Sequence, residues 1–290
     1  MDEDLLDNER RQAPGQKLDH SREGGPGQPK RSCPGAWNAL LGKAARVRTS
    51  PAWLFPSEAA LRGREGARGA RGRFVVIEGL DGAGTTTQTH ELVRRLAGYR
   101  IPAQGTAEPS KGPVGALLRQ VLSQRVVSPA GPFDRAALAL LFAADRLDHA
   151  QAEILPWLRA GRWVISDRYV LSSLAYQGLD VPQAYVAQIN ARAPRPDLTL
   201  FLDVPPEVSL RRRQAEGAST DLFEDLPTQR KVAKLYQAAL KGLPGMDLGP
   251  LVVLNGRASI GEVADELEAL LRTRFKLVRP VARQGGGRSA

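Results

Sequence analysis

The segment Glu78-Gly79-Leu80-Asp81-Gly82-Ala83-Gly84-Thr85-Thr86-Thr87-Gln88 holds the first residues whose types and spacing suggest chemistry. Two glycines with four residues between them, after a short apolar run and before a helical stretch, have the spacing of a P-loop. In such a loop, backbone N–H groups wrap a phosphate at a helix N-terminus. The Thr86 hydroxyl falls where the loop ligates magnesium, whereas Thr85 stands where its lysine is expected. Without that lysine the motif is incomplete, and a tight strand-to-helix turn with no ligand is the competing reading.

Further along the chain, Phe142 and Arg146 lie four residues apart and project from one helix face. Asp167-Arg168 closes an apolar run, and Arg211-Arg212-Arg213 forms a cationic run of the kind that usually covers a solvated face. The elements that must position these residues can be read from the pattern of apolar residues. Four runs lacking polar alternation, Phe74 to Ile77, Trp163 to Ile165, Leu198 to Val204 and Leu251 to Leu254, suit strands buried on both faces of a parallel sheet. A fifth, short strand is expected near Tyr99 to Gly105. Between the runs lie helical stripes: Leu92, Val93 and Leu96; Leu138, Leu141 and Phe142; and Ile260, Val263, Leu267, Leu270 and Leu271. Strands alternating with helices predict an α/β domain with helices on both faces of the sheet.

Longer matches narrow this reading. Leu141-Phe142-Ala143-Ala144-Asp145-Arg146, Gly161-Arg162-Trp163-Val164-Ile165-Ser166-Asp167-Arg168-Tyr169, Ser172-Ser173-Leu174-Ala175-Tyr176-Gln177-Gly178, Pro196-Asp197-Leu198-Thr199-Leu200 and Leu202-Asp203-Val204-Pro205 follow in order. Together with the glycine-rich loop they resemble the thymidylate kinases across about residues 74–272. The resemblance implies a three-layer P-loop kinase fold with a small lid, here about 211–226, and transfer of the γ-phosphate of ATP to dTMP with Mg2+. It also implies roles for single residues. Phe142 would stack on thymine, Arg146 would bond a base carbonyl, and Tyr176, with Gln177 beside it, would favour deoxyribose. Asp81 would hold the 3′-hydroxyl, with Glu108 and Ser173 also in the acceptor site. Arg168 would bind phosphate, Asp167 would lie with Thr86 at the magnesium, and the backbone from Gly79 through Thr87 would cradle ATP. Lid arginines close over the moving phosphate in this family, and a homodimer is expected.

Three positions depart from the family pattern: Thr85 for the loop lysine, Ala107 for an arginine before Glu108-Pro109, and Leu222 for an arginine after the lid aspartate. Each removes positive charge from the phosphate path, and one lost donor typically costs about 3 kcal/mol in the transition state. Lys111 and any of Arg211, Arg212 and Arg213 are expected to supply replacements. A weakly active or inactive kinase-like nucleotide-binding protein and a kinase for another nucleoside monophosphate remain the alternatives.

The chain of 290 residues has a formal charge of +10, which by itself suggests polyanion binding. Residues 1–73, rich in Gly, Pro and Arg, carry fourteen basic and nine acidic residues; residues 273–290 carry five basic and none acidic. The body between them has 22 of each, so the excess belongs to an expected disordered extension and a flexible tail, for which nucleic-acid contact is a secondary expectation. A single cysteine, Cys33, and no apolar N-terminal stretch predict a cytoplasmic protein, and no run is long enough to cross a membrane.

Overall fold

Each of the four apolar runs forms a strand in the computed structural model, which describes residues 71–129, 131–215, 225–243 and 246–280. The elements in chain order are β1 (Phe74–Gly79), α1 (Thr85–Ala97), β2 (Ala103–Ala107), α2 (Pro113–Leu122), α3 (Arg135–His149), a π-helical turn (Ala150–Ile154) and α4 (Leu155–Arg159). There follow β3 (Trp163–Asp167), α5 (Val170–Tyr176), a 3-10 turn (Gln177–Leu179), α6 (Gln183–Ile189), β4 (Leu198–Asp203), α7 (Pro206–Ala215), α8 (Leu226–Leu240), β5 (Leu251–Asn255) and α9 (Ile260–Phe275). The strands form one parallel sheet in the order β2-β3-β1-β4-β5. The α/β three-layer fold expected from the sequence is the one observed.

Because side chains alternate across a strand, β1 supplies both halves of the core. Phe74 and Val76 face the layer that contains Tyr169, Leu171, Leu174, Val232 and Tyr236. Val75 and Ile77 face the other, with Leu92, Leu96, Val263 and Leu267. Burial on both faces explains why β1, β3 and β4 read as apolar runs, while β5, at the edge of the sheet, is only partly buried. β1 sits between β3 and β4, so the three C-terminal strand ends that carry Gly79, Asp167 and Asp203 lie side by side.

Two boundaries differ from expectation. The fifth strand starts at Ala103, because Arg100 takes a positive φ of 56° and Arg100 and Ile101 donate back to α1 carbonyls, closing that helix. The last helix passes residue 272 to Phe275, whose ring meets Trp163 edge-on at 5.0 Å. Lys276, in the left-handed conformation, ends it. Arg279 beyond it pairs with Glu268 at 2.5 Å, so residues 273–280 pack on the domain. At the other end Arg71 pairs with Asp197 at 2.9 Å. The expected extension through residue 70, the lid residues 216–224 with Leu222, and the tail from 281 lie outside the described residues.

Helix α2 packs closely on the turn that follows β2. A Cβ built on Gly115 would stand 2.1 Å from the Ser110 carbonyl oxygen and 2.8 Å from Asp145 Oδ1. Backbone cannot yield as a flexible side chain can, so Gly115→Ala is expected to destabilise the domain by about 2 kcal/mol, seen as a lower urea midpoint with an unchanged m-value.

Candidate active site

The loop after β1 owes its shape to its glycines. Gly82 and Gly84 have φ of 83° and 92°, and Ala83 N–H donates to the Leu80 carbonyl. Helix α1 then starts at Thr85 with no side-chain cap and no acidic residue in its first turn. Its N-terminal N–H groups are therefore open to an anion, which the helix dipole also favours. Thr85, the residue in the lysine position, is buried and brings no charge.

At the neighbouring end of β3, the Thr86 hydroxyl donates to Asp167 Oδ2. Asp167 Oδ1 is buried and has no partner among the described residues. Two hard oxygen ligands beside a phosphate loop, one of them unsatisfied, suit Mg2+, which usually takes one or two protein oxygens and completes its shell with phosphate and water. No cluster of three or more metal-ligating side chains occurs among the described residues.

Asp81 is the hub of the site. Arg168 Nη2 donates to its Oδ1 at 2.6 Å, and the Tyr176 hydroxyl to its Oδ2 at 2.8 Å. Gln229 Nε2 stands 3.4 Å from Oδ2 and Arg213 Nη1 3.6 Å from Oδ1. Burial, with the Asp81 charge beside it, pushes the Tyr176 phenol above its ordinary range, so it remains a donor. Arg168 has a positive φ of 69° and also donates to the Gly79 carbonyl and Ser172 Oγ. Its guanidinium is thus fixed within reach of the loop.

A cavity of about 160 Å3 opens beside this hub, walled by Pro109, Leu122, Phe142, Tyr169 and Tyr176. Arg146 lies at its base, fully buried. It donates to Glu108 Oε2 through Nε at 2.8 Å, to the Asn190 side-chain Oδ1 through Nη1, and to the Tyr169 backbone carbonyl and Ser173 Oγ through Nη2. One Nη1 hydrogen remains uncommitted among these contacts. Gln177 lines the same cavity, and its buried Oε1 has no partner among the described residues. Asp145 faces away and accepts from the Ser110 N–H at 2.7 Å and the Ser110 hydroxyl, which fixes the Glu108 to Ser110 turn.

The sequence-derived cations separate. Three successive residues on a helix point about 100° apart, so one of three adjacent arginines can face a given site. Arg213 lines the cavity. Arg212 turns to the Gly256 and Arg257 carbonyls, and Arg211 is exposed. Lys111 is exposed and does not line the cavity, so the structure does not bring it to the acceptor side as expected. Ala107 ends β2 beside Asp167 and leaves its position without charge. A Cβ on Gly82 would lie 2.9 Å from Arg213 Cγ and 2.3 Å from the Ser209 carbonyl oxygen, so α7 rests directly on the loop.

Several participants had no signal in the sequence. The Tyr236 hydroxyl donates to the Gly79 carbonyl at 3.0 Å, and Gln229 reaches Asp81 from the same helix, α8. Glu78, fully buried, accepts from the Ser172 N–H at 3.2 Å and from its hydroxyl, and Ser172 in turn meets Arg168. Only the position of Glu78 inside an apolar strand hinted at a role.

A parallel sheet with a phosphate loop at the end of its central strand, and an acceptor cavity opening against that loop, defines a P-loop nucleoside monophosphate kinase. Residues 77–249 match the family model described as thymidylate kinase. Over 205 residues the chain is 38% identical to a probable thymidylate kinase of Pyrococcus horikoshii, covering 70% of this chain and 97% of that one. It is 38% identical over 209 residues to a probable thymidylate kinase of Pyrobaculum calidifontis, covering 71% and 99%. A thymidylate kinase of Carboxydothermus hydrogenoformans is 34% identical over 208 residues, covering 69% and 97%. The chain belongs to the thymidylate kinase family. No helix among the described residues is long and apolar enough to cross a membrane.

Burial raises the Glu78 carboxyl from 4.5 to about 7, opposed by the Ser172 hydrogen bonds and the Arg168 charge. The folded chain therefore holds a proton that the unfolded chain has released between pH 4.5 and 7. Stability from this group is complete below pH 4.5 and is lost as pH rises to 7, about 3 kcal/mol in all. Glu78→Gln is expected to flatten that decline, checked by urea unfolding at pH 5.5 and pH 8.

Proposed function

We propose that the chain transfers the γ-phosphoryl group of ATP to dTMP, giving dTDP and ADP, at the cavity between Phe142 and the Asp81 hub. The observation that carries this reading is the convergence of Phe142, Arg146, Arg168 and Tyr176 from three different segments on one cavity next to the phosphate loop. In the reaction, a 5′-phosphate oxygen of dTMP attacks the γ-phosphorus. The bond to the β–γ bridging oxygen breaks, and ADP leaves with that electron pair. Such transfer asks a protein mainly for alignment and for charge to meet the equatorial oxygens.

Each residue then has a task. Phe142 stacks on the pyrimidine, and the remaining Arg146 Nη1 hydrogen bonds a thymine carbonyl, a position where the amine of cytosine would oppose a donor. Tyr176 fills the space of a 2′-hydroxyl while its own hydroxyl stays on Asp81, which receives the sugar 3′-hydroxyl. Gln177 Oε1, Glu108 and Ser173 complete the acceptor wall. Arg168 bridges donor and acceptor phosphates. The N–H groups of Gly82 and of Gly84 to Thr87 hold the ATP phosphates, those of Asp81 and Ala83 being bonded to the Tyr176 hydroxyl and the Leu80 carbonyl. Thr86 and Asp167 would hold Mg2+, which neutralises charge on the β and γ phosphates when bound. Arg213 supplies the cation that Thr85 lacks, with Arg211 and Arg212 contributing less. A homodimeric cytoplasmic enzyme using dTMP and Mg2+-ATP completes the reading.

A coupled assay of ADP release tests it, with dTMP, dUMP, dCMP and dGMP in competition; dTMP is expected to give the highest kcat/KM, and indifference among the four would refute the assignment. Arg213→Ala is expected to lower kcat by about a hundredfold, the usual cost of one well-aimed transition-state donor, while Arg211→Ala changes it less than about threefold because an exposed rim charge contributes little. Equal kcat for the two variants would remove Arg213 from its role.

A further inference from the structure

Behind Arg146 and Glu108 lie His149, Thr106 and Glu153, a polar chain that the reaction outlined above does not use. His149, the last residue of α3, is enclosed on all sides. Its Nδ1 stands 3.3 Å from Glu108 Oε1, and its Nε2 is 2.7 Å from Thr106 Oγ1 and 3.6 Å from Glu153 Oε2. Glu108 grips Arg146 with its other oxygen, Oε2 standing 2.8 Å from Nε and 2.7 Å from Nη2.

These contacts assign the imidazole tautomer. A carboxylate facing a guanidinium can only accept, so the His149 proton sits on Nδ1 and points at Glu108. Nε2 is then the acceptor. The Thr106 hydroxyl has two acceptors in range, His149 Nε2 at 2.7 Å and Glu153 at 3.4 Å, and the shorter contact takes the hydrogen. The chain runs from β2 through α3 to the cavity, and the π-helical turn that begins at Ala150 carries Glu153 to the imidazole. Such turns interrupt a regular helix at a cost and gather at functional places.

We propose that His149 is a positioning residue for the pyrimidine site: its Nδ1 hydrogen holds the Glu108 carboxylate in the orientation that fixes the Arg146 guanidinium, and with it the donor offered to the base. This inference rests on the cavity being the dTMP site. Without the Nδ1 donor, Glu108 Oε1 is left buried and unpaired. The carboxylate can then rotate, and Arg146 loses its fixed direction. The chemical step is untouched, because phosphate alignment is governed by Arg168 and the loop.

Side-chain shape gives a sharp test. Asparagine places an amide nitrogen near the Nδ1 position, whereas glutamine places one near Nε2. His149→Gln and His149→Leu are expected to raise KM for dTMP by about tenfold, the scale of one hydrogen bond to a charged group, with kcat and KM for ATP within about twofold. His149→Asn should restore KM for dTMP to within about threefold of the unsubstituted protein. If His149 only fills space, the larger glutamine will outperform asparagine, and that order would overturn the proposal, as would an unchanged KM or a loss confined to kcat. Should His149→Leu fail to fold by thermal melt, Thr106→Val serves instead. It frees Nε2 to compete for the proton and is expected to raise KM for dTMP several-fold; no change there overturns the proposal. The two readings separate in the unsubstituted protein: no turnover or binding of dTMP there refutes the assigned function and this inference with it, while normal turnover with indifferent variants refutes this inference alone.

Discussion

The Asp81 carboxylate is the constraint around which the site is built. It is 20% exposed, too enclosed to rely on water, and it takes donors from four segments: Arg168 after β3, Tyr176 on α5, Arg213 on α7 and Gln229 on α8. Removing any charged partner from such a pair leaves the other charge poorly compensated, which costs more than the pair itself contributes. The loop, the cavity wall, α7 and α8 therefore share one electrostatic anchor.

The same economy accounts for the neutral body of the chain. Arg168 faces Asp81, Arg146 faces Glu108, and Arg95 lies among Glu91, Asp265 and Glu268. The cations that matter are held as pairs, and their effect is local. The excess charge that dominates the composition sits in residues 1–73 and 273–290, outside the formally neutral body. Affinity for anions follows from where charges point, and at the cavity Arg168 is the cation held against the loop.

Much of this was legible beforehand, for physical reasons that differ by element. The central strands β1, β3 and β4 were readable because burial on both faces favours continuous apolar runs. The loop was readable because positive φ demands glycine at 82 and 84. Phe142, Arg146 and Tyr176 were found through their resemblance to a family, and the structure brings them to one cavity. The arginine run could not be resolved, since three neighbouring residues look alike in a string and only helix phase separates Arg213 from its neighbours. Lys111 was close in sequence yet faces solvent, because sequence proximity carries no direction. Gln229, Tyr236, Asn190 and His149 were invisible for the opposite reason: each acts across a long separation in the chain, and single polar residues on helices carry no period of their own.

The missing Cβ at residue 82 has a further meaning. With φ at 83°, and with the Ser209 carbonyl and Arg213 Cγ occupying the space a side chain would need, the loop and α7 fit together only as glycine against helix. A cation carried by the loop at this position and a cation delivered by α7 are therefore alternatives that exclude each other sterically. The two solutions cannot be reached from one another by adding a charge; the helix must first move away. The fit between loop and helix thus hangs on a single position, where any side chain would force the two apart.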